Sequence, residues 1–417
     1  MRKKLQILFI PIFALQLSLN AQEQIKVMFY NVLNFPIQAP VSRVDDHLSV
    51  IIDDYRPDLF MICELNNETG ANLILDMMQG INPNYQRATF VTNTSDDTTG
   101  NQNDLQNMIF FDATKFSLLS QTEVTTNVRD FNHYIMRLKT VNEDTNPIIL
   151  NVFVTHLKSS NGTANQNVRF QQVLEFTDYL NTLSPDSYVI LGADLNFYTA
   201  SENGFQELVD GTNNITLADP ADRVGSWSNN ANFLDVFTQS TRTQNGLGGA
   251  TGGFDDRFDF IMTSENLLDN NEDIYYVDGS YRAYGNNNNS DCYNDEINDP
   301  ECAGADYNFA IRDALYFMSD HLPVTVTLET TETLSLTDAV SQRFEVIGGT
   351  IIDDELQISN PKAFGDFSIF NTIGQNMINF SMHGELTKKV NVSKLSNGIY
   401  YIVDKSKPNF ALKFIKN

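Results

Sequence analysis

Short apolar runs that recur along the first three quarters of the chain restrict its possible folds more than any other feature. They are rich in Val, Ile, Phe and Tyr, and Gly, Pro, Asn or Asp bound them, as is typical of buried β-strands. Two segments between them, residues 42–55 and 165–183, instead space their apolar side chains with helical periodicity. Strands mixed with helices predict a layered α/β protein in which helices cover the sheets.

The charge is concentrated in one part of the chain. The 417 residues carry a formal net charge of −26, but residues 22–329 alone hold 44 acidic and 15 basic residues, a net charge of −29. Residues 330–417 hold nine of each. From residue 344 onward, short strand-like runs alternate with Gly and Asn turns, which predicts a small all-β domain after a polar linker over 330–343. The acidity excludes a simple basic nucleic-acid coat, because no large positive field is available.

The N-terminus has the pattern of a secretory signal peptide. Basic residues at positions 2–4 precede an apolar stretch over 5–19, and Ala21 offers a cleavage point. A membrane anchor is the alternative, but the stretch is short compared with the ~20 apolar residues of a transmembrane helix. We therefore predict a signal peptide over 1–21, export of the protein, and no membrane span after it.

The three cysteines fit an exported protein. Cys63 lies in an apolar run and is expected to stay a buried thiol. Cys292 and Cys302 lie in one Asn/Asp-rich loop, where we expect a disulfide, since two cysteines alone are too few ligands for a metal site. The loop is also rich in the oxygen ligands that Ca²⁺ prefers, although it lacks EF-hand spacing, so Ca²⁺ is a further candidate cofactor.

Polar side chains stand at the ends of several predicted strands. They are Glu64, His156, Asp194, Asn196, Asp259, Asp320 and His321. A carboxylate at the end of a buried strand is costly unless it is paired or bound to a metal. A single such residue usually caps local structure, but this many together indicate a functional site.

This set of residue types suits the hydrolysis of a phosphate ester. Glu64 and Asp320 are candidate ligands of a hard divalent cation, with Asn31 as an orienting neighbour. The other candidates would handle water and phosphate. Asp194 and Asn196 suit orientation of the attacking water, His321 held by Asp259 suits a general base or a stabiliser of phosphorane-like charge, and His156 suits a hydrogen bond to a phosphate oxygen.

Six segments that carry these residues resemble, in order, the successive motifs of the endonuclease/exonuclease/phosphatase superfamily. They are NVLNF at Asn31, ICEL at Glu64, THLKS at His156, GADLN at Asp194 to Asn196, RFDFI at Asp259 and SDHLP at Asp320 to His321. The resemblance implies a catalytic domain over 22–329 folded as a four-layer α/β sandwich, with two packed β-sheets flanked by helices. It also implies phosphoester cleavage with Mg²⁺ or Mn²⁺, with Asn31 and Glu64 as metal ligands and Asp259 paired with His321.

The same resemblance implies further contacts. An acidic partner of His156 is expected near NDLQNMIFF, where Asp104 is the nearest candidate. The region 127–137 is expected to contact substrate, which points to Tyr134 and Arg137. A structural ion pair is the alternative role of Arg137.

The C-terminal segment resembles the sorting domain of the type IX (Por) secretion system of Bacteroidetes. The resemblance rests on ISNP, SIFNTIGQ, VSKLSNGIYYIV and the basic ending FALKFIKN. It implies a sorting domain over 344–417, a type IX secretion machinery as partner, and export through the periplasm to the cell surface or beyond. The alternative is an ordinary β-sandwich binding module.

Three functions follow from these patterns. The first is a secreted, monomeric, metal-dependent phosphodiesterase that cuts extracellular nucleic acid as an endonuclease or exonuclease. The second is a sphingomyelinase-like or inositol-phosphate phosphoesterase; a sphingomyelinase would need an exposed aromatic hairpin to enter a membrane, and the sequence shows no clear one. The third is a non-catalytic cell-surface binding protein, against which the complete set of polar residues argues.

Overall fold

The computed structural model describes residues 23–94, 105–335, 344–347, 350–360, 364–383, 387–405 and 411–417. The expected signal peptide, Asp104 and residues 336–343 of the expected linker lie outside these ranges. The chain divides into two compact units, Met1–Leu334 and Ser335–Asn417. The catalytic and sorting boundaries expected from the sequence stay a prediction.

Two β-sheets form the centre of the first unit. Its strands are β1 (Glu23–Phe35), β2 (Leu59–Leu65), β3 (Tyr85–Arg87), β4 (Gln106–Asp112), β5 (Phe116–Val124), β6 (Phe131–Leu138), β7 (Ile149–His156), β8 (Tyr188–Asp194), β9 (Leu217–Ala218), β10 (Asp259–Ser264), β11 (Ile274–Tyr276), β12 (Arg282–Ala283) and β13 (Val324–Thr330). One sheet has the order β11-β13-β1-β2-β4-β3, with β12 also paired to β13, and the other has the order β5-β6-β7-β8-β10-β9.

The two sheets pack face to face through their central strands. Strands β1 and β2 of the first sheet contact β7, β8 and β10 of the second. Gly192 on β8 lies so close to Met61 on β2 that an added Cβ would sit 2.7 Å from the Met61 sulfur. Because both faces of these strands are covered, they are apolar throughout instead of alternating.

Helices cover the outer faces. They are α1 (Ser49–Tyr55), α2 (Glu68–Ile81), α3 (Thr163–Leu180), α4 (Asn203–Leu208) and α5 (Phe309–Met318), with a π-helical turn at Val44–Leu48 and short 3-10 helices at Ala231–Val236, Glu265–Leu268, Ser290–Cys292 and Pro300–Cys302. Helix α1 contacts α2 and α5, and its Tyr55 hydroxyl donates to Val27 O on β1. Helix α3 packs on α4 and stacks Phe176 on Phe131 of β6. The predicted four-layer α/β sandwich is confirmed.

Two helical segments confirm the predictions made from apolar periodicity. The segment predicted over 42–55 forms the π-helical turn and α1, and its four aliphatic residues Val44, Leu48, Ile51 and Ile52 are buried. The segment predicted over 165–183 forms α3. Helices α2 and α5 were not predicted, although Asn67 and Asn308 cap their N-termini by accepting hydrogen bonds from Gly70 N and Ile311 N.

The second unit is built from strands alone among its described residues, as predicted. They are β14 (Glu345–Ile347), β15 (Ile351–Ile352), β16 (Glu355–Ser359), β17 (Phe364–Asn371), β18 (Asn376–His383), β19 (Thr387–Asn391), β20 (Gly398–Asp404) and β21 (Ala411–Lys416). They form a three-stranded sheet, β14-β16-β19, and a five-stranded sheet, β15-β21-β20-β17-β18. This unit has its own core, which includes Leu356, Phe367, Ile402 and Phe414.

Within the described ranges of both units, no helix has the length and apolar character needed to cross a membrane.

Candidate active site

Strand register brings the polar strand ends to one place. Strands β1 and β2 are parallel and align Asn31 with Cys63, next to Glu64. Strands β7 and β8 are also parallel and end with His156 opposite Asp194. Strand β10 runs antiparallel to β8 and begins with Asp259 opposite the same Asp194. The ends of both sheets therefore meet at a common site.

Asn31 joins the two sheets at the centre of this site. Its Nδ2 donates to Glu64 Oε1 at 3.0 Å and to Asp194 Oδ2 at 3.0 Å. The same nitrogen lies 3.5 Å from His321 Nε2. The side chain is fully buried, so the amide fixes the relative position of two carboxylates without adding charge.

His321 is held by Asp259, as the sequence predicts. Its Nδ1 lies 2.7 Å from Asp259 Oδ2, and its Nε2 lies 3.9 Å from Asp194 Oδ2. Burial by itself would lower the pKa of His321, but the carboxylates of Asp259 and Asp320 outweigh it and raise that pKa well above its usual 6.5. Held by Asp259, the imidazole suits a stabiliser of negative charge or a general base.

Asp194 is the most perturbed carboxylate of the site. Asn196 binds its Oδ1 twice, through Nδ2 at 2.9 Å and through the backbone N at 3.2 Å. Burial raises the pKa of Asp194 to about 8; Asp259 and Glu64 add to this, and His321 opposes it. Together with Asn196, this carboxyl group can orient a water molecule and accept a proton near neutral pH.

Glu64 and His156 lie on the other side of Asp194. Glu64 Oε2 accepts a hydrogen bond from Asn34 N at 3.0 Å, and burial together with the charge of Asp320 raises the pKa of Glu64. His156 Nε2 lies 3.5 Å from Asp194 Oδ2, and its Nδ1 lies 3.9 Å from Glu64 Oε1. Burial, with Arg129 nearby, holds the pKa of His156 well below 6.5, so this imidazole is neutral at pH 7.

Asp320 is held by a glycine-rich segment, residues 246–253. Its Oδ2 accepts hydrogen bonds from Ala250 N at 2.6 Å and from Gln239 Nε2 at 3.2 Å. Gly249 has φ 73°, and an added Cβ there would lie 2.7 Å from Asp320 Oδ1. Arg242 Nη1 fixes the start of the segment by donating to Gly248 O at 3.0 Å. The segment is part of the site.

Gln239 is a site residue that sequence reasoning missed. Its Nε2 lies 2.6 Å from His321 Nε2. The residue lies between a 3-10 helix and the glycine-rich segment, in a run with neither strand nor helix periodicity. Since an isolated β-bridge pairs Gln239 with His321, only the tertiary fold reveals the contact.

The structure places the two predicted substrate contacts, Tyr134 and Arg137, away from the candidate site. Tyr134 has no exposed surface and lies in the core on β6. Arg137 lies near the far end of β6, opposite Ile149, the first residue of β7, whereas His156 is the last. His156 lies seven positions after Ile149 along β7, or roughly 23 Å at ~3.3 Å per residue. The physical reason is strand direction: the site lies at the start of β6 and not at its end.

The residues present fit a divalent cation. Glu64, Asp194, Asp259 and Asp320 are buried or nearly so, and their charges act on one another. Asp259 Oδ1 and Asp320 Oδ1 are buried and have no hydrogen-bond partner among the described residues. Such an excess of buried oxygen and negative charge is costly unless a cation balances it.

The Asn/Asp-rich loop forms a second, separate feature. Cys292 and Cys302 are joined by a disulfide, as expected. Asp295, Asp299 and Glu301 each offer a carboxylate oxygen within 4.8 Å of the others. They are partly or fully exposed, and Asp299 already caps Glu301 N, so Ca²⁺ binding in this loop stays a prediction.

The C-terminal part of the chain matches a known family. Residues 352–417 match the secretion system C-terminal sorting domain (Por). The chain therefore carries a sorting tail of the type IX system, which indicates export to the cell surface or outside. No curated protein matches the chain.

Several solved structures are distantly similar to the chain. An endonuclease/exonuclease/phosphatase from Bacteroides vulgatus is 15% identical with a TM-score of 0.46, and the match covers 74% of this chain and 99% of that one. The human nocturnin catalytic domain with bound sulfate is 14% identical with a TM-score of 0.43, covering 74% and 97%. Zebrafish (D. rerio) TDP2 complexed with a single-stranded DNA product is 14% identical with a TM-score of 0.45, covering 74% and 99%.

Proposed function

We propose that this chain is an exported, metal-dependent phosphoesterase that hydrolyses phosphodiester bonds. One observation carries the proposal: Asn31 binds the carboxylates of Glu64 and Asp194 at once, and His321, oriented by Asp259, adjoins them. This arrangement offers a cation site, a base and a proton-bearing group within one buried cluster. Phosphoester hydrolysis needs these three functions together.

Asn31, Glu64 and Asp320 would hold the cation, Mg²⁺ or Mn²⁺. When bound, it supplies positive charge that stabilises the negative charge developing on the phosphate. The carboxamide oxygen of Asn31 and the carboxylates of the other two are hard oxygen ligands, as this cation prefers.

Asp194 and Asn196 are proposed to orient the attacking water. The Asn196 side chain holds Asp194 Oδ1, which leaves Oδ2 toward Asn31 and the histidines. Since a base is most efficient when its pKa is near the working pH, the raised pKa of Asp194, about 8, supports its role as proton acceptor.

The two histidines are proposed to act on the phosphate in different ways. His321, fixed by Asp259, stabilises the charge that builds up on the phosphate oxygens. His156, neutral because it is buried, donates a hydrogen bond to a phosphate oxygen. Two chemically different environments for one residue type are typical of a division of roles in catalysis.

The proposed substrate is extracellular nucleic acid, cut by a monomer at the cell surface or in the medium. The family resemblance of the motifs and the sorting tail support this choice. The net charge of −26 repels polyanions at long range, but divalent cations weaken that repulsion.

The test is a substrate screen of the purified protein against bis-p-nitrophenyl phosphate, DNA, RNA and sphingomyelin, with Mg²⁺ or with EDTA. We expect hydrolysis of the first three with Mg²⁺ and none with EDTA. Glu64→Gln, which keeps the shape but removes the charge, should lose activity by about 10²-fold or more. Glu175→Gln, on the exposed face of α3, is the matched control and should retain it. Full Mg²⁺-dependent activity in Glu64→Gln would reject the cation site.

A further inference from the structure

The thiol of Cys63 forms, with one atom each from His156 and Asp194, a group of three potential metal ligands. The proposed hydrolysis does not use these three as a metal site. Its Sγ, a ring nitrogen of His156 and a carboxylate oxygen of Asp194 lie within 4.8 Å of one another. All three side chains are buried, and Cys63 is fully so. The thiol is the one free cysteine of the chain, because the other two are joined in a disulfide.

The spacing suits chelation. His156 Nε2 and Asp194 Oδ2 are 3.5 Å apart. Two ligand atoms about 2.0–2.2 Å from a tetrahedral Zn²⁺ lie about 3.4 Å from each other. The pair is therefore slightly too far apart for a good hydrogen bond, but it is at the separation that one metal ion would bridge.

The fold holds these ligands in place without help from a loop. His156 and Asp194 are register partners at the ends of β7 and β8. Cys63 pairs with Asn31 at the ends of β2 and β1, and Asn31 Nδ2 donates to Asp194 Oδ2. The thiol thus comes from one sheet and the other two ligands from the facing sheet.

A second observation points to a ligand. His156 Nδ1 is buried and has no hydrogen-bond partner among the described residues, although the side chain is only 4% exposed. A buried ring nitrogen without a partner is costly unless a ligand satisfies it. Because thiolate and imidazole ligands favour Zn²⁺ and related ions over Mg²⁺, the donor set identifies the class of ion.

We propose that Cys63, His156 and Asp194 bind Zn²⁺ or a similar thiophilic divalent ion, and that this binding inhibits hydrolysis. On binding, the Cys63 S–H bond breaks, a sulfur–metal bond forms, and one proton is released to solvent. The bound ion occupies Asp194 and His156, the two side chains that would act on water and phosphate. The inhibition rests on the proposed function, whereas the binding does not.

Co²⁺ is the probe for binding, because a thiolate–cobalt bond absorbs in the near ultraviolet. The full chain, freed of metals with a chelator, is titrated with Co²⁺. We expect the charge-transfer band to saturate at about one ion per chain. Cys63→Ser, and Cys63→Ala as a second variant, should lack the band while keeping the wild-type melting temperature to within a few degrees. Asp299→Asn, in the separate carboxylate group, should keep it.

Two results would overturn the binding site: wild-type protein without the band at saturating Co²⁺, or the same band in both Cys63 variants.

Inhibition is measured as Zn²⁺ titration of Mg²⁺-supported hydrolysis of bis-p-nitrophenyl phosphate. The Cys63 variants should need about 10-fold more Zn²⁺ for half inhibition, with an uninhibited rate close to that of the wild type. Equal inhibition of wild type and variants would reject the regulatory role. A protein that shows the cobalt band but hydrolyses no substrate would reject the proposed function alone.

Discussion

His321 depends on Asp259 for the orientation of its ring. The 2.7 Å contact fixes Nδ1, so that Nε2 faces Asp194 and Gln239. We predict that His321→Ala lowers kcat by about 10²–10⁴-fold, since a charged group that acts on the phosphate is lost. Asp259→Asn should cost less, because the imidazole remains but is held less well and loses a neighbouring negative charge.

The measurement is kcat for both variants beside their melting temperatures. Near-normal kcat with a large drop in melting temperature would make the pair structural and would contradict the proposed roles. Tyr134→Phe is a useful control from the same unit. Its buried ring lies in the core on β6, so kcat should not change.

At the scale of elements, the glycine-rich segment has a defined task. It positions Ala250 N so that this group donates a hydrogen bond to Asp320. The segment lies so close to the Asp320 carboxylate that position 249 needs a residue without a Cβ. We predict that Gly249→Ala lowers kcat/KM by about 10-fold or more, because Ala at φ 73° is strained by about 1–2 kcal/mol and its methyl group displaces the Asp320 carboxylate.

Gly252→Ala is the matched control in the same segment, since an added Cβ there meets nothing within 4 Å. Kinetics over a range of Mg²⁺ concentrations distinguish the two. Gly249→Ala should also need more Mg²⁺ for half-maximal activity. Equal behaviour of the two variants would show that the segment does not support Asp320.

The packing of α3 on the second sheet makes a separate pH prediction. His133 on β6 stacks on Phe153, and its ring nitrogens lie 3.0 Å from the Tyr179 hydroxyl and 3.0 Å from Asn151 Oδ1. Burial lowers the pKa of His133 to about 4. In the unfolded chain the pKa of this imidazole is near 6.5. Burial of the neutral ring therefore contributes fully to stability above pH 6.5, and this contribution is lost as the pH falls toward 4.

Lowering the pH from 7 to 5 should reduce the free energy of unfolding by about 2 kcal/mol through His133. His133→Gln removes the titration, so its urea-derived stability should fall less over that interval than the wild type's, whatever its stability at pH 7. Parallel pH profiles of the two proteins would contradict the assignment.

Strand ends were the part of the site that could be predicted from sequence. Glu64, His156 and Asp194 each close an apolar run, and parallel pairing brings His156 and Asp194 together at one sheet edge. Gln239 and the glycine-rich segment could not be predicted, because they lie in irregular backbone whose partners are far away in sequence. Arg137 was suggested by the family resemblance, which indicates a region but not which end of β6 faces the site. The same reasoning found the fold's layers but missed α2 and α5.

At the scale of the whole molecule, each unit has the means to fold alone. The candidate site residues from Asn31 to His321 all precede Leu334, the end of the first unit. That unit has a continuous buried core, and the second has a separate one. The sorting tail over 352–417 serves export and has no assigned part in hydrolysis.

We therefore predict that a chain ending at Ser335 retains catalysis. Ending there keeps the isolated bridge between Thr140 and Leu334. Its kcat/KM should lie within about two-fold of the full chain's, which corresponds to roughly 0.4 kcal/mol in transition-state stabilisation. Circular dichroism and thermal melting establish folding, and the truncated Glu64→Gln variant supplies the inactive reference. A shortened chain that melts cooperatively but hydrolyses nothing, beside an active full-length protein, would mean that residues 336–417 contribute to the site, because lost folding and lost metal ligands would both be excluded.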